Sequence, residues 1–268
     1  MSDSSRHLSS TLVLVVFGLL AAGSAGKPAA QPKAEPIPEV EPAFSFKLSE
    51  EKVENSDNFT IAIIQPAWKL EQGASGGDSP IDIGDLPKQF SKAMAHDFEA
   101  MLTTRGMNVS GPFPSIDEMT FPDKKQSDLA VEPKIEIELK LPVIHVQTEY
   151  VNQGAGPVPM QSFVMQSPGG TDPKVTATGA VYFEVKEPLS NQKVWKKSVS
   201  DLKESKVCAQ RAVSGEREGL ERLLRGCVTE FLNDLYPKVM KQAAKYFTRE
   251  EMVLVRTQSK ELREKKVY

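Results

Sequence analysis

The chain has 268 residues, of which 40% are hydrophobic, 26% charged and 7% aromatic, with 33 basic against 36 acidic side chains and a formal charge of −3. That ordinary globular balance excludes wholesale disorder, a collagen-like fibre and a multi-span membrane protein. No long one-signed run offers an electrostatic landing strip, which argues against a dedicated nucleic-acid binder.

The one strongly apolar run, Leu12 to Ala22, follows Arg6 and His7 and precedes Gly23, Ser24, Ala25 and Gly26. This is the anatomy of an export signal over residues 1–26, with cleavage expected after Ala25 or Gly26. A membrane-spanning helix needs ~20 apolar residues, so an uncleaved anchor would have to borrow the small polar flank. A bacterial lipoprotein signal would place a cysteine after Leu20, Ala21 and Ala22. Gly23 stands there, and no cysteine precedes Cys208. Residues 27–44 are rich in proline, alanine and glutamate and read as an extended linker.

A globular α/β domain is expected over 45–248. Phe59 to Ile64 is a β-branched run ending at Gln65-Pro66 and predicts a buried strand; residues 71–80 read as a loop. After Asp85, a good N-cap, apolar residues fall at Leu86, Phe90, Ala93, Met94, Phe98, Met101 and Leu102, one helical stripe closed by Gly106. Met107 to Val109 reads as a short strand and 110–128 as a polar connection. Ile135, Ile137, Leu139 and Leu141 alternate with Glu136, Glu138 and Lys140, giving a strand with one wet face that can continue through Val143 and His145. Residues 152–173, rich in Gly and Pro, read as a loop. Val175 to Val185 and Val194 to Val199, joined by a turn at Ser190-Asn191, predict an antiparallel hairpin.

Leu220, Leu224, Cys227, Val228, Phe231, Leu232, Leu235, Val239 and Ala243 recur at helical spacing, and Pro237 is expected to kink that helix. Thr248 with Glu251 forms a capping box, so a separate charged helix is expected over 249–268, with Met252 to Val255 packed and Lys260, Arg263, Lys265 and Lys266 solvated. The expected architecture is therefore α/β (α+β), a mixed, largely antiparallel sheet with an N-terminal amphipathic helix and a long C-terminal helix packed on it.

Little in the chain reads as catalytic. No GxGxxG, P-loop or GxSxG occurs, and the SxxK strings at Ser49 to Lys52 and Ser200 to Lys203 lack their companions. His96 stands beside Asp97 with no HExxH, and His145 has no adjacent acid, so no catalytic, cofactor or metal site is expected. Asp82 and Asp85 are paired carboxylates without a cleft. Cys208 and Cys227 allow a disulfide in an oxidising compartment, while Cys227 would be equally comfortable as a buried thiol on its helix stripe. A glycan contact calls for an aromatic platform beside polar groups on a wet face. Trp68, Tyr150, Tyr182 and Trp195 are the aromatic candidates, alongside Lys140 and His145. A protein partner calls instead for a contiguous exposed apolar patch.

Three stretches carry a family resemblance. Ile61 to Trp68 (IAIIQPAW), with the helix that follows and Arg105-Gly106-Met107-Asn108-Val109, is the first. The second is Val181 to Leu202 (VYFEVKEPLSNQKVWKKSVSDL), and the third is the long C-terminal helix with its basic end. Together, over about residues 58–266, they resemble the bacterial neuraminyllactose-binding haemagglutinin family, the HpaA-like adhesin lipoproteins. The resemblance implies an exported cell-envelope binding protein in the periplasm or at the outer membrane. Its partner would be a host glycan or, alternatively, an envelope protein that it helps to assemble. The family's lipobox cysteine is replaced by Gly23, which leaves an uncleaved signal or peripheral contact for membrane association. Its Lys-Arg-Thr element, proposed for sialyl-sugar contact, has no counterpart at the matching Ile144, His145 and Val146.

Overall fold

The computed structural model describes residues 39–54, 58–72, 82–152, 157–167, 172–208, 213–214 and 217–265. Residues 1–26, expected to form an export signal, lie outside them. Contacts divide the chain into units 1–36 and 37–268, and the described residues belong to the second.

The main sheet grows from its most apolar strand. Thr60–Ile64 (β1) is buried at Ile61, Ala62, Ile63 and Ile64, as its β-branched run demands. It pairs in parallel with Asn108–Phe113 (β3) on one side and with Leu129–Lys140 (β4) on the other. Past Pro66 the chain resumes as Ala67–Gln72 (β2), also parallel to β4, so residues 71 and 72 are strand rather than loop. Lys174–Glu187 (β7) and Gln192–Val207 (β8) complete it antiparallel, in the order β3-β1-β4-β7-β8. At Gly179 the backbone takes φ +142°, and a Cβ there would lie 2.1 Å from the Glu136 carbonyl oxygen, so only glycine lets β7 approach β4 this closely.

Helix Leu86–Thr104 (α1) buries Phe90, Met94, Phe98, Met101 and Leu102 against the sheet. Asp85 precedes it without making a side-chain cap; its carboxylate accepts instead from the Gln89 side-chain amide. Asp82 likewise serves its own turn, accepting from the Gly84 N–H. Helix Arg217–Tyr246 (α3) runs on through Pro237 and buries Leu224, Phe231, Leu235, Val239 and Ala243. Helix Arg249–Glu264 (α4) starts at Thr248, whose hydroxyl accepts from the Glu251 N–H. The Glu251 carboxylate does not close the capping box; it accepts from the Trp195 indole N–H at 2.7 Å. Met252 and Val255 of α4 are buried.

Several expected loops are structured. The connection 110–128 carries the end of β3 and a short helix, Phe121–Gln126 (α2), capped by Thr120. The described residues of 152–173 are largely strand: Val143–Asn152 (β5) pairs antiparallel with Pro157–Gln166 (β6), and Val213–Ser214 (β9) adds a third strand in the order β5-β6-β9. The hairpin turn holds as expected, with Asn191 at φ +56°. The buried Glu187 carboxylate accepts from the Leu189 and Ser190 N–H groups. That carboxylate also recruits Arg263, which is therefore not simply solvated but donates to Glu187 Oε1 at 2.9 Å. Cys208 and Cys227 are joined as a disulfide, tying the end of β8 to α3.

The strap 39–54 lies along the helices. Phe44 packs edge-on against Phe90 and tilts onto Tyr236. The Phe46 N–H and the Tyr236 hydroxyl both donate to the buried Asp97 carboxylate, at 2.6 and 2.7 Å. Burial first, and that hydrogen bond to Asp97 second, raise the Tyr236 pKa far above the ordinary phenol range. Arg105, 6% exposed, grips Glu50 with two nitrogens and donates to the Ala244 and Phe247 carbonyls, locking strap, α1 and α3 together.

Candidate functional site

Alternation along β4 and β7 divides the sheet into two surfaces. Ile135, Ile137, Leu139, Val181, Phe183 and Val185 point to the helices. The opposite parity sends Glu132, Lys134, Glu136, Glu138 and Lys140 of β4, and Thr176, Thr178, Tyr182, Glu184 and Lys186 of β7, to the other face. At the β1 end that second face is covered by Phe113, Ile116 and Met119, packed on Ala62, Ile64 and Ala130. Further along β4 it is open, with Glu136 and Lys140 exposed.

Glu184 sits at the centre of the open face, only 4% exposed. Its carboxylate meets Lys134 at 2.9 Å, Lys193 at 2.6 Å and Lys196 at 3.5 Å. Burial pushes the Glu184 pKa up, but hydrogen bonds from Lys193 and Lys134 outweigh it, and the net position is down to about 2. Lys186 pairs with Glu132 at 2.6 Å. Tyr182 stands opposite Lys134 on one side and Ser198 on the other, with the Lys196 ammonium 4.2 Å from its ring centroid. Further along, the Thr178 hydroxyl donates to Glu138 at 3.3 Å, and Lys140 approaches the same carboxylate at 3.9 Å. The result is an aromatic ring framed by ordered ammonium, carboxylate and hydroxyl groups. Such a surface can take the apolar face of a sugar ring or a flat polar partner while hydrogen-bonding its edges.

The four candidate contact residues do not converge. Trp68 pairs in register with Ile135 and stacks edge-on against Phe90 at 4.7 Å; its buried indole N–H has no acceptor among the described residues. Trp195 packs on Phe247 at 5.2 Å and donates to Glu251. Both tryptophans thus lie on the helix side. Lys140 ends β4 on the open face, and His145 is exposed two residues into β5. His96 is exposed on α1. Of the aromatic candidates, Tyr182 stands on the open face and Tyr150, 71% exposed, on the β5-β6 arm. The Lys–Glu lattice around Tyr182 is the feature that reading the residues alone missed. Alternation marks the face as wet, but which lysine meets which glutamate depends on register.

Among the described residues no group of His, Cys, Asp and Glu side chains is placed to hold a metal ion, and no helix is long and apolar enough to cross a membrane.

Comparison with known proteins follows the fold. The structure is similar to the crystal structure of a neuraminyllactose-binding hemagglutinin homolog from Helicobacter pylori, with 14% sequence identity and a TM-score of 0.58, over 83% of this chain and 100% of that one. Looser matches are protein XCC0632 from Xanthomonas campestris (8% identity, TM-score 0.34, 76% and 92% of the two chains) and lipoprotein GNA1162 from Neisseria meningitidis (13%, 0.22, 66% and 97%). No curated protein matches the sequence. The model of the family described as neuraminyllactose-binding hemagglutinin precursor matches residues 9–266, and the chain belongs to that family.

Proposed function

We propose that this chain is an exported cell-envelope binding protein, an adhesin-like member of its family, and that it presents the open sheet face around Tyr182 as its contact surface. The observation that carries the reading is the Tyr182 ring held under the Lys196 ammonium beside the Glu184 lattice. An aromatic face flanked by fixed polar groups is what glycan recognition asks of a wet surface. Export rests on the signal-like residues 1–26. Gly23 in place of a lipobox cysteine leaves an uncleaved signal or peripheral contact to hold the protein at a membrane. The family's name speaks of neuraminyllactose, but the arginine fork suited to a sialic acid carboxylate has no counterpart at the positions matching the family's proposed contact. Ile144, His145 and Val146 stand at the matching positions, and Arg105 is committed to Glu50. Sialyl-lactose binding is therefore expected to be weak.

The reading is tested by protease treatment of intact cells of the natural host. Digestion at the surface supports an adhesin; a chain cut only after the outer membrane is opened contradicts it. The second reading, an envelope assembly module with a protein partner, is favoured by Val146 and Tyr150, exposed on one face of the β5-β6 arm. It becomes the better account if that periplasmic result is found.

A further inference from the structure

The β5-β6 arm differs in composition from the rest of the molecule. Between Lys140 and Asp172 the sequence carries only His145 and Glu149 from among the Asp, Glu, Lys, Arg and His types, in a chain that is 26% charged. β5 is an edge strand of its sheet, and its register with β6 runs unbroken from Val143 opposite Gln166 to Asn152 opposite Pro157. Residues His145 to Tyr150 are all exposed.

Exposed edges are templates for strand pairing, and soluble proteins blunt them with lysine, proline or bulges. The other long edges here are blunted in that way. β8 carries Lys193, Lys196, Lys197, Lys203 and Lys206 and two irregularities in its pairing with β7, and β3 contains Pro112. β5, VIHVQTEYVN, has no lysine, proline or bulge.

The strand is also complementary to itself. If a second copy pairs antiparallel with its axis at Gln147, then Ile144 faces the copy's Tyr150 and Val146 its Thr148. His145 then faces the copy's Glu149, and Glu149 the copy's His145. His145 and Glu149 thus meet as opposite partners, twice, by symmetry. The apolar pairs fall on the other face, and cross-strand pairs of both kinds stabilise a sheet. A shift of one residue would separate the histidine from the glutamate and lose this match.

We propose that β5 is a homodimerisation edge. Two copies of the chain join β5 to β5 antiparallel about a two-fold axis at Gln147, making one six-stranded sheet from two three-stranded ones. The partner is a second copy because the self-complementary His145 and Glu149 pairing specifies one.

The test uses the full chain as isolated, by sedimentation at rising concentration and by oxidative cross-linking. The wild type is expected to show a monomer–dimer equilibrium. His145→Glu should weaken the dimer at least tenfold by setting like charges opposite each other, and His145→Glu with Glu149→Lys should restore it. Gln147→Cys should give a covalent dimer on oxidation, whereas Thr148→Cys, which faces Val146 of the copy, should not. Circular dichroism confirms that each variant is folded; all of these positions are exposed. A chain that stays monomeric throughout would overturn the proposal, as would a dimer indifferent to His145→Glu or equal cross-linking from both cysteine variants. A monomer that instead binds lipid vesicles through the arm would also overturn it.

Discussion

The two faces of β4 and β7 share a backbone and differ in everything else. Towards the helices, Ile135, Ile137, Leu139, Val181, Phe183 and Val185 are almost wholly excluded from water, and the Phe183 ring meets those of Phe98 and Phe247. Towards the other side, the same strands hold their side chains by charge, through Glu184 with Lys134 and Lys193, and Glu132 with Lys186. The first face pays for the fold through volume and burial, so it tolerates little change of shape. The second contributes modest, screened energies and is the face proposed to meet a partner.

The largest effects should therefore fall on the helix side. Leu224→Ala and Phe231→Ala remove buried side chains of α3 and should each cost ~2–5 kcal/mol. Urea midpoints that do not move would mean that α3 packs by another face. Reducing the Cys208–Cys227 disulfide should cost ~3 kcal/mol, the loop-entropy value for a bridge spanning about 20 residues. Thermal melts with and without reductant measure this.

On the charged face the effect is smaller and depends on pH. The folded-state pKa of Glu184 lies below its ordinary value, so its contribution is fully present above pH ~4.5 and is lost as pH falls through about 2. The wild type should lose roughly 1–3 kcal/mol across that window through this group, after discounting for its half-exposed lysine partners. Glu184→Gln should be less stable at neutral pH and should flatten the profile. Urea titrations at stepped pH read it directly, and a variant with an unchanged acid profile would show that the lattice contributes nothing. Lys140→Ala, at an exposed site and 3.9 Å from Glu138, should change stability by less than ~0.5 kcal/mol.

The same contrast explains what the residues alone could disclose. Strong periodicity made α1, α3, β4 and β7 legible, because burial on one side imposes a 3.6- or 2-residue repeat. β5 was legible only as a continuation of β4 through Val143 and His145, and β6 was hidden, because Gly154, Gly156, Pro157 and Pro159 have the composition of a loop. β2 was hidden by Gln65-Pro66, which separate the end of one strand at Ile64 from the start of another at Ala67. The facing of Trp68 and Trp195 could not be read from the residues, because it is settled by register, opposite Ile135 and Val185, and register depends on distant pairing. Arg105 beside Gly106 looked like an ordinary helix end. Its burial follows from the strap and α3 closing over it, which is long-range information. Tyr182 was legible as an aromatic candidate but not as the centre of a charged surface.

The central claim is that the open face, and Tyr182 with Lys196 in particular, is the contact surface of a glycan-binding envelope protein. Its most direct test is an immobilised array of sialylated and asialo mammalian glycans, probed with the wild type, with Tyr182→Ala plus Lys196→Ala, and with Leu254→Ala on exposed α4 as a control. The account predicts that the wild type retains a subset of glycans with no dependence on sialic acid. The double variant, still folded, should lose at least tenfold in signal, and the α4 control should match the wild type. Retention of no glycan at all, or glycan binding undiminished in the double variant, would contradict it.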